Sequence, residues 1–209
     1  PVQLPGRANR IVDAPHLDAI TMASDVAEGI GAYLDMPYAF FGHSMGAMLS
    51  YELVVLLRKR RMTGPLRLFI SARRAPNVPY TDAAVYDLPE DEFINELRRL
   101  KGTPPEVFES PELLELLLPV LRADFQVCQT YRNSGDSPLD VPITVFGALD
   151  DTEVSRPALE EWRRWTSVSF AIHMLPGDHF FLHSRKPLLL NLLSRELDGI
   201  LEGLAYCPP

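Results

Sequence analysis

The stretch Phe40-Phe41-Gly42-His43-Ser44-Met45-Gly46-Ala47-Met48 places a G-x-S-x-G motif between two segments of different character. Residues 38–41 are apolar and predict a buried strand, whereas residues 47–60 have the spacing of an amphipathic helix. A serine on a sharp turn between strand and helix forms a nucleophile elbow, which exposes the hydroxyl at the end of the sheet. The stretch therefore predicts that Ser44 is a catalytic nucleophile. The alternative is a Gly-Ser turn that merely starts a helix.

The geometry of an elbow also explains the residues on either side of Ser44. We expect Gly42 and Gly46 to be glycines because a Cβ at either position would collide with the neighbouring strand or helix. The helix after the turn directs free backbone N–H groups and the positive end of its dipole toward the reacting centre. The N–H of Met45, the residue after the nucleophile, is therefore predicted to be one donor of an oxyanion hole.

Strands and helices are predicted to alternate on both sides of this elbow. Helical spacing covers residues 17–34, 157–165 and 186–204, and buried strands are predicted at residues 66–71, 142–146 and 167–174. Val2-Gln3-Leu4 resembles the tail of a further strand, so we expect the fold to lack its first strands in this chain. This alternation predicts an α/β protein with a mostly parallel sheet and helices on both faces.

The segment between the predicted strands at residues 66–71 and 142–146 is different. Helices are predicted at residues 90–100, 111–118 and 120–132, separated by proline and glycine. We expect residues 1–209 to form a single domain with a helical lid at about 77–134, above the edge where open α/β sheets bind ligands. The apolar residues 113–118, with Phe125 and Phe93, suit either an acyl channel or packing of the lid, and the sequence assigns no substrate-binding residue.

A serine nucleophile needs a base and a carboxylate that orients the base. In this kind of fold the order along the chain is serine, acid, histidine. Asp150 and Asp151 follow one predicted strand and His179 follows the next, so all lie at the same edge as Ser44. His183, one helical turn later, is the rival base. Asp150 and Asp151 also suit a turn that caps a helix.

Composition excludes several classes of function. A formal net charge of −8 argues against a nucleic-acid partner. No run of eighteen or more apolar residues is present, so no membrane span is expected. The two cysteines, Cys128 and Cys207, are too few for a disulfide framework and indicate a reducing, cytoplasmic setting. No metal site and no cofactor is expected.

The motifs together resemble the type II thioesterases of polyketide and nonribosomal peptide synthase systems, which have the α/β-hydrolase fold. The resemblance covers nearly the whole chain. Its motifs are a strand followed by Pro-Gly-Arg at residues 2–7, the elbow at 42–46, a Ser-Gly-Arg-x-Ala-Pro stretch at 71–76, Gly-x-x-Asp at 147–150, and Gly-x-His-Phe-Phe at 177–181. Ala72 replaces the usual glycine of the third motif, and Asp151 stands where proline usually follows the acid.

This resemblance implies an activity and a partner. Such enzymes hydrolyse acyl groups from the phosphopantetheine thiol of acyl or peptidyl carrier proteins, with no cofactor. It implies a triad of Ser44, Asp150 and His179, since Asp150 holds the Gly-x-x-Asp position, and it makes Asp151 a solvated turn or capping residue. Family members also carry an upstream loop that donates a second oxyanion N–H. This stretch is absent from residues 1–209, so either it precedes Pro1 or the chain is a crippled catalyst.

Two other interpretations stay open at this point. The chain could be another α/β-hydrolase, such as an esterase or a chain-releasing thioesterase domain. It could also be a non-catalytic hydrolase-like module that binds acyl groups or carriers.

Overall fold

The computed structural model describes residues 1–80 and 83–205 of the chain, with side chains to residue 203. The chain divides into two compact units. One unit contains Pro1–Asp35, Tyr51–Met62 and Pro79–Asp136, and the other contains Met36–Ser50, Thr63–Val78 and Ser137–Pro209. We call them the helical unit and the sheet unit, and describe each by itself.

In chain order the elements are α1 (Ala19–Ile30), β1 (Ala39–His43), α2 (Met45–Lys59), β2 (Arg67–Ser71), α3 (Glu90–Leu100), α4 (Pro105–Glu109), α5 (Pro111–Thr130), β3 (Ile143–Ala148), α6 (Arg156–Glu160), β4 (Phe170–Leu175), α7 (Phe181–Ser184) and α8 (Lys186–Ala205). Short 3₁₀ turns cover Ala8–Arg10, Gly31–Tyr33 and Glu161–Trp165. None of the helices in the described part of the chain is both long and apolar enough to cross a membrane.

The sheet unit is built on four parallel strands in the order β1-β2-β3-β4. Their carboxyl ends lie at one edge because the strands run in register, with His43 opposite Ser71 and Ala148 opposite Leu175. Side chains alternate between the two faces of such a sheet. The prediction of a parallel sheet is therefore confirmed.

Helices cover both faces of this sheet. Phe69 and Phe146 share a buried cluster with Leu189 of α8 on one face. Gly147, the neighbour of Phe146, points to the other face, where a Cβ would run into Leu159 of α6. The predicted placement of helices on both faces is confirmed by these opposite contacts.

The helical unit has its own small core. Phe93 and Leu97 of α3 pack with Leu118 of α5 and with Val85, all of them buried. The rings of Phe93 and Phe125 meet edge to face, with 5.6 Å between centroids. Of the two uses that the sequence left open for the apolar residues here, core packing is the one observed for Phe93 and Leu118, whereas Leu113 and Leu116 are exposed.

Within the helical unit, polar contacts join other segments to α5 and to the residues that follow it. Arg7, from the Pro-Gly-Arg stretch, donates two hydrogen bonds to the carboxylate of Asp124, at 3.1 and 2.7 Å. Glu52 of α2 is buried and accepts hydrogen bonds from the hydroxyls of Tyr131 and Ser134. The Pro-Gly-Arg stretch therefore has a structural contact within this unit.

Three local predictions were wrong. Helix α5 runs unbroken through Pro119, where a break was predicted, because Leu118 and Val120 on either side are buried and packing outweighs the lost hydrogen bond. Residues 2–4 form no strand, since strand geometry requires a paired neighbour. The short helices α4 and α7 were not predicted, because one or two turns carry too little periodicity to detect.

Candidate active site

The elbow is held in a strained backbone conformation. Ser44 has a φ of +51°, in the left-handed region that non-glycine residues seldom adopt. Its N–H donates to the carbonyl of Ser71 at 2.8 Å, which ties the turn to the end of β2. Helix α2 begins at the next residue, Met45, so the N–H of Met45 lies at the helix N-terminus beside the serine.

The two glycines of the motif are not equivalent. A Cβ on Gly42 would collide with the backbone of Gly46 and Ala47, so strand and helix approach this closely only because residue 42 is glycine. At Gly46 a Cβ would meet nothing within 4 Å. The predicted collision at Gly46 was therefore wrong, because its Cβ position faces open space.

His179 reaches the elbow from the loop after β4. Gly177 supplies a φ of +113°, which only glycine adopts readily, and turns the chain back two residues before the histidine. Nε2 of His179 lies 3.2 Å from Oγ of Ser44. The structure therefore brings the predicted nucleophile and the predicted base into hydrogen-bond contact. His183, the rival, lies exposed in α7.

The carboxylate beside His179 belongs to Asp151, and the prediction of Asp150 in that position was wrong. Oδ2 of Asp151 lies 2.9 Å from Nδ1 of His179, and the Asp151 side chain is 1% exposed. Asp150 is exposed. Its backbone N–H donates to the carbonyl of Gly177 at 2.9 Å, which fixes the backbone so that the next side chain points inward.

Asp151 is also the turn residue that the sequence predicted. Its Oδ1 accepts hydrogen bonds from the N–H groups of Glu153, at 2.8 Å, and Val154, at 3.0 Å. Turn formation and contact with histidine were expected to be alternatives, but one carboxylate has an oxygen for each. No feature of the neighbouring residues distinguishes Asp151 from Asp150, so only the fold could locate it.

Charges at the site suit proton transfer. Burial raises the pKa of Asp151, but hydrogen bonding and attraction from His179 and the two turn N–H groups outweigh it and hold the pKa below the ordinary value. Because an ionised carboxylate only accepts hydrogen bonds, Nδ1 of His179 donates to Asp151. In the neutral ring, Nε2 then accepts a hydrogen bond from the Ser44 hydroxyl.

His43, the residue before the nucleophile in the G-x-S-x-G motif, lies beside His179. Its Nδ1 is 2.9 Å from Oγ of Ser71, and its ring lies 5.3 Å from that of His179. Burial, with a smaller contribution from the nearby His179, lowers the pKa of His43 from 6.5 to about 4. Sequence reasoning gave His43 no role.

The 71–76 stretch has an unusual backbone as well. Ala72 has a φ of +49° and is fully buried, at the position where the resemblance leads one to expect glycine. The next residues make packing and polar contacts: the guanidinium of Arg73 lies 3.3 Å from Sδ of Met48, and that of Arg74 donates to the carbonyl of Glu153. Within the described residues, no cluster of three or more His, Cys, Asp or Glu side chains is placed to hold a metal.

Comparison with known proteins shows to which family the chain belongs. A model of the thioesterase domain matches residues 1–197. The linear gramicidin dehydrogenase LgrE of Brevibacillus parabrevis is 44% identical over 206 residues, which cover 97% of this chain and 78% of that protein. The gramicidin S biosynthesis protein GrsT of Aneurinibacillus migulanus is 42% identical over 200 residues, with 96% and 78% covered.

Solved structures give the same result. The RedJ thioesterase of the prodiginine pathway in Streptomyces coelicolor superposes with a TM-score of 0.84 at 38% identity, over 92% of this chain and 77% of that chain. ClbQ of the colibactin NRPS/PKS pathway gives a TM-score of 0.89 at 26% identity, over 96% and 85%. The fold is the α/β-hydrolase fold, and the chain belongs to the thioesterase family, as a type II thioesterase of the kind found in nonribosomal peptide and polyketide pathways.

Proposed function

We propose that this thioesterase hydrolyses acyl groups from the phosphopantetheine thiol of acyl or peptidyl carrier proteins, with Ser44, His179 and Asp151 as its triad. The observation that carries the proposal is the unbroken hydrogen-bond chain from Asp151 through His179 to Ser44, at 2.9 and 3.2 Å. Both distances lie near the range required of a nucleophile, its base and the group that orients the base.

The geometry supports the usual two-step course of acyl transfer. His179 takes the proton of Ser44 at Nε2 while Oγ attacks the thioester carbonyl, and Asp151 stabilises the imidazolium that forms. The C–S bond then breaks, the imidazolium gives its proton to the departing thiolate sulfur, and an ester remains on Ser44. Water, deprotonated by His179, attacks this ester and releases the acid.

The N–H of Met45 is proposed as an oxyanion donor. It follows the nucleophile directly and stands at the N-terminus of the fifteen-residue helix α2, where the helix dipole favours negative charge. Removal of one such donor in other hydrolases costs ~10²–10³ in kcat, so this N–H is a substantial part of the proposed site.

The carrier-protein partner is a proposal that rests on the relatives. Their names place GrsT in gramicidin S biosynthesis and ClbQ in an NRPS/PKS pathway, where intermediates are held as thioesters on carriers. The cytoplasm stays the proposed location. The lid at about 77–134 also stays a proposal, supported by the helices α3, α4 and α5 that occupy most of that segment.

The test is to compare Ser44→Ala with Ser50→Ala. Ser50 lies in α2, the helix that follows Ser44, and its hydroxyl donates to the carbonyl of Gly46 at 2.8 Å. We expect Ser44→Ala to abolish release of acid from acyl-loaded carrier protein and Ser50→Ala to retain it. A fluorophosphonate should label the parent protein at Ser44 alone. Activity that survives in Ser44→Ala would disprove the nucleophile.

Substrate comparison distinguishes the remaining hydrolase interpretations. We expect kcat/KM for an acyl-carrier thioester to exceed that for the same acyl group on a simple ester. A preference for the simple ester would indicate an esterase. Macrocyclic products from a long carrier-bound chain would indicate a chain-releasing domain.

A further inference from the structure

His43 is tethered to the same strand end that holds the nucleophile. It is the last residue of β1 and pairs in register with Ser71, the last residue of β2. The hydroxyl of Ser71 lies 2.9 Å from Nδ1 of His43, and the carbonyl of Ser71 accepts the Ser44 N–H. Ser71 is fully buried. One rigid residue therefore fixes both the His43 ring and the backbone of the elbow.

The other side of the His43 ring is fixed by the core. The ring of Phe181 meets it edge to face at 5.7 Å between centroids, and Phe181 is fully buried in the cluster that joins the sheet to α8. The ring of His43 in turn lies 5.3 Å from that of His179, with 61° between their planes. The His43 ring therefore contacts both the buried ring of Phe181 and the ring of the base, His179.

The hydrogen bonds of His179 constrain its ring in a different direction. Its hydrogen bonds to Ser44 and Asp151 both lie in the plane of the ring, so they do not by themselves prevent displacement perpendicular to that plane. Phe180 contacts the ring at 5.2 Å but is only partly buried. His43, in contrast, is held on one side by Ser71 and on the other by Phe181.

The charge state of His43 suits such a role. Its Nε2 is buried, and no hydrogen bond of normal geometry reaches it from the described residues, although the nearby backbone of His179 acts to raise its pKa. The titratable groups that face it are His179, Asp151 and His183. Burial and the neighbouring His179 keep the ring neutral near neutral pH, so it adds no repulsion when His179 becomes an imidazolium.

We propose that His43 is a positioning residue: its ring, held between Ser71 and Phe181, fixes the imidazole of His179 in the orientation that contacts Ser44 and Asp151 together. This proposal rests on the proposed triad. The property of residue 43 that matters for the rate is then its aromatic contact with His179. The hydrogen bond from Ser71 acts only by holding the ring in place.

Three variants separate the contributions. His43→Phe keeps an aromatic ring and loses the bond to Ser71. His43→Asn keeps a polar group near the Nδ1 position and loses the ring. Ser71→Ala removes the tether and leaves the backbone carbonyl for Ser44. Because a misplaced catalytic group can cost about 10²-fold in rate, we expect kcat of His43→Asn to fall about 10- to 100-fold with KM unchanged.

The conservative variant should rescue the rate. We expect kcat of His43→Phe to stay within about threefold of wild type, and that of Ser71→Ala, which loses the same hydrogen bond and keeps the ring, to stay within the same range. The low-field proton resonance of the Asp151–His179 hydrogen bond should persist in His43→Phe and broaden or disappear in His43→Asn. A purely structural role would change thermal stability without changing this resonance.

Controls keep the outcomes apart. Circular dichroism shows whether each variant is folded; should His43→Asn fail to fold, His43→Leu, which keeps apolar volume without a ring, is measured in its place, and unchanged kcat there overturns the proposal. Equal losses in His43→Phe and His43→Asn, or no loss in either, also overturn it. Ser44→Ala, assayed in parallel, tests the triad separately: if it stays active the proposed function fails, whereas an inactive Ser44→Ala beside a fully active His43→Asn rejects only the positioning role.

Discussion

Three connections at the carboxyl edge of the sheet deliver the triad, and two of them, the turns after β1 and β3, are specified in different ways. The elbow after β1 is also tied to β2 by the hydrogen bond from the Ser44 N–H to Ser71, but its steric conditions come from its own neighbours: Gly42 lies against the backbone of Gly46 and Ala47, and Ser44 takes a φ of +51° between them. The turn after β3, which we call the Asp turn (residues 149–154), is fixed from a distance. Its N–H groups at Leu149 and Asp150 donate to the carbonyls of Leu175 and Gly177, each 2.9 Å away.

The difference shows why one turn could be located from sequence and the other could not. The steric conditions of the elbow involve residues within five positions of one another, so they leave a pattern that can be recognised in the chain. Two adjacent aspartates satisfy the local chemistry of the Asp turn equally well. Strand pairing across β3 and β4 then decides which carboxylate faces inward.

The largest expected effect tests which aspartate acts with His179. We predict that Asp151→Asn lowers kcat by up to ~10⁴, because the amide both removes the ionised partner and favours the wrong imidazole tautomer. Asp150→Asn, the matched control, should change kcat less than about tenfold, a barrier change below ~1.4 kcal/mol. Steady-state kinetics on both variants measures this, and a reversed ranking would return the triad acid to Asp150.

The next effect tests the local specification of the elbow. We predict that Gly42→Ala lowers the free energy of unfolding by about 3 kcal/mol and removes activity, because the new methyl group meets backbone that cannot move aside. Gly46→Ala should change stability by less than about 1 kcal/mol, since its Cβ faces open space and alanine favours the helix. Urea unfolding of the two variants gives the comparison; similar losses would show that the elbow is not limited by the contact at Gly42.

The smallest effect separates the two turns by pH. The fold favours neutral His43, so the stability contributed by burying it is complete above pH 6.5 and is lost as the pH falls toward about 4. The fold favours ionised Asp151, so its contribution is lost only on acidification below about pH 4. Wild type should therefore lose about 2 kcal/mol more than His43→Phe between pH 7 and pH 4.5.

Urea titrations at several pH values measure this last effect. Asp151→Asn serves as the control, because it should follow wild type down to pH 5 and diverge only in more acidic solution. Parallel stability curves for wild type and His43→Phe between pH 7 and pH 4.5 would show that His43 is not kept neutral by the fold.

The elements whose causes are local could be predicted from the order of the residues alone. Alternation of apolar strands and amphipathic helices gave the parallel sheet, and the motif around Ser44 gave the elbow, because periodicity and close steric contact are properties of nearby residues. His179 could also be predicted, since chain order and the end of a strand bring it to the correct edge.

The remaining features depend on how the folded chain packs. It selected Asp151 over Asp150 through the pairing of β3 with β4, it carried α5 through Pro119 because residues on both sides are buried, and it left Gly46 facing open space. It also brought His43 against His179, although the two are far apart in the chain. Each of these outcomes depends on atoms from distant segments, whose positions exist only after the strands and helices have packed.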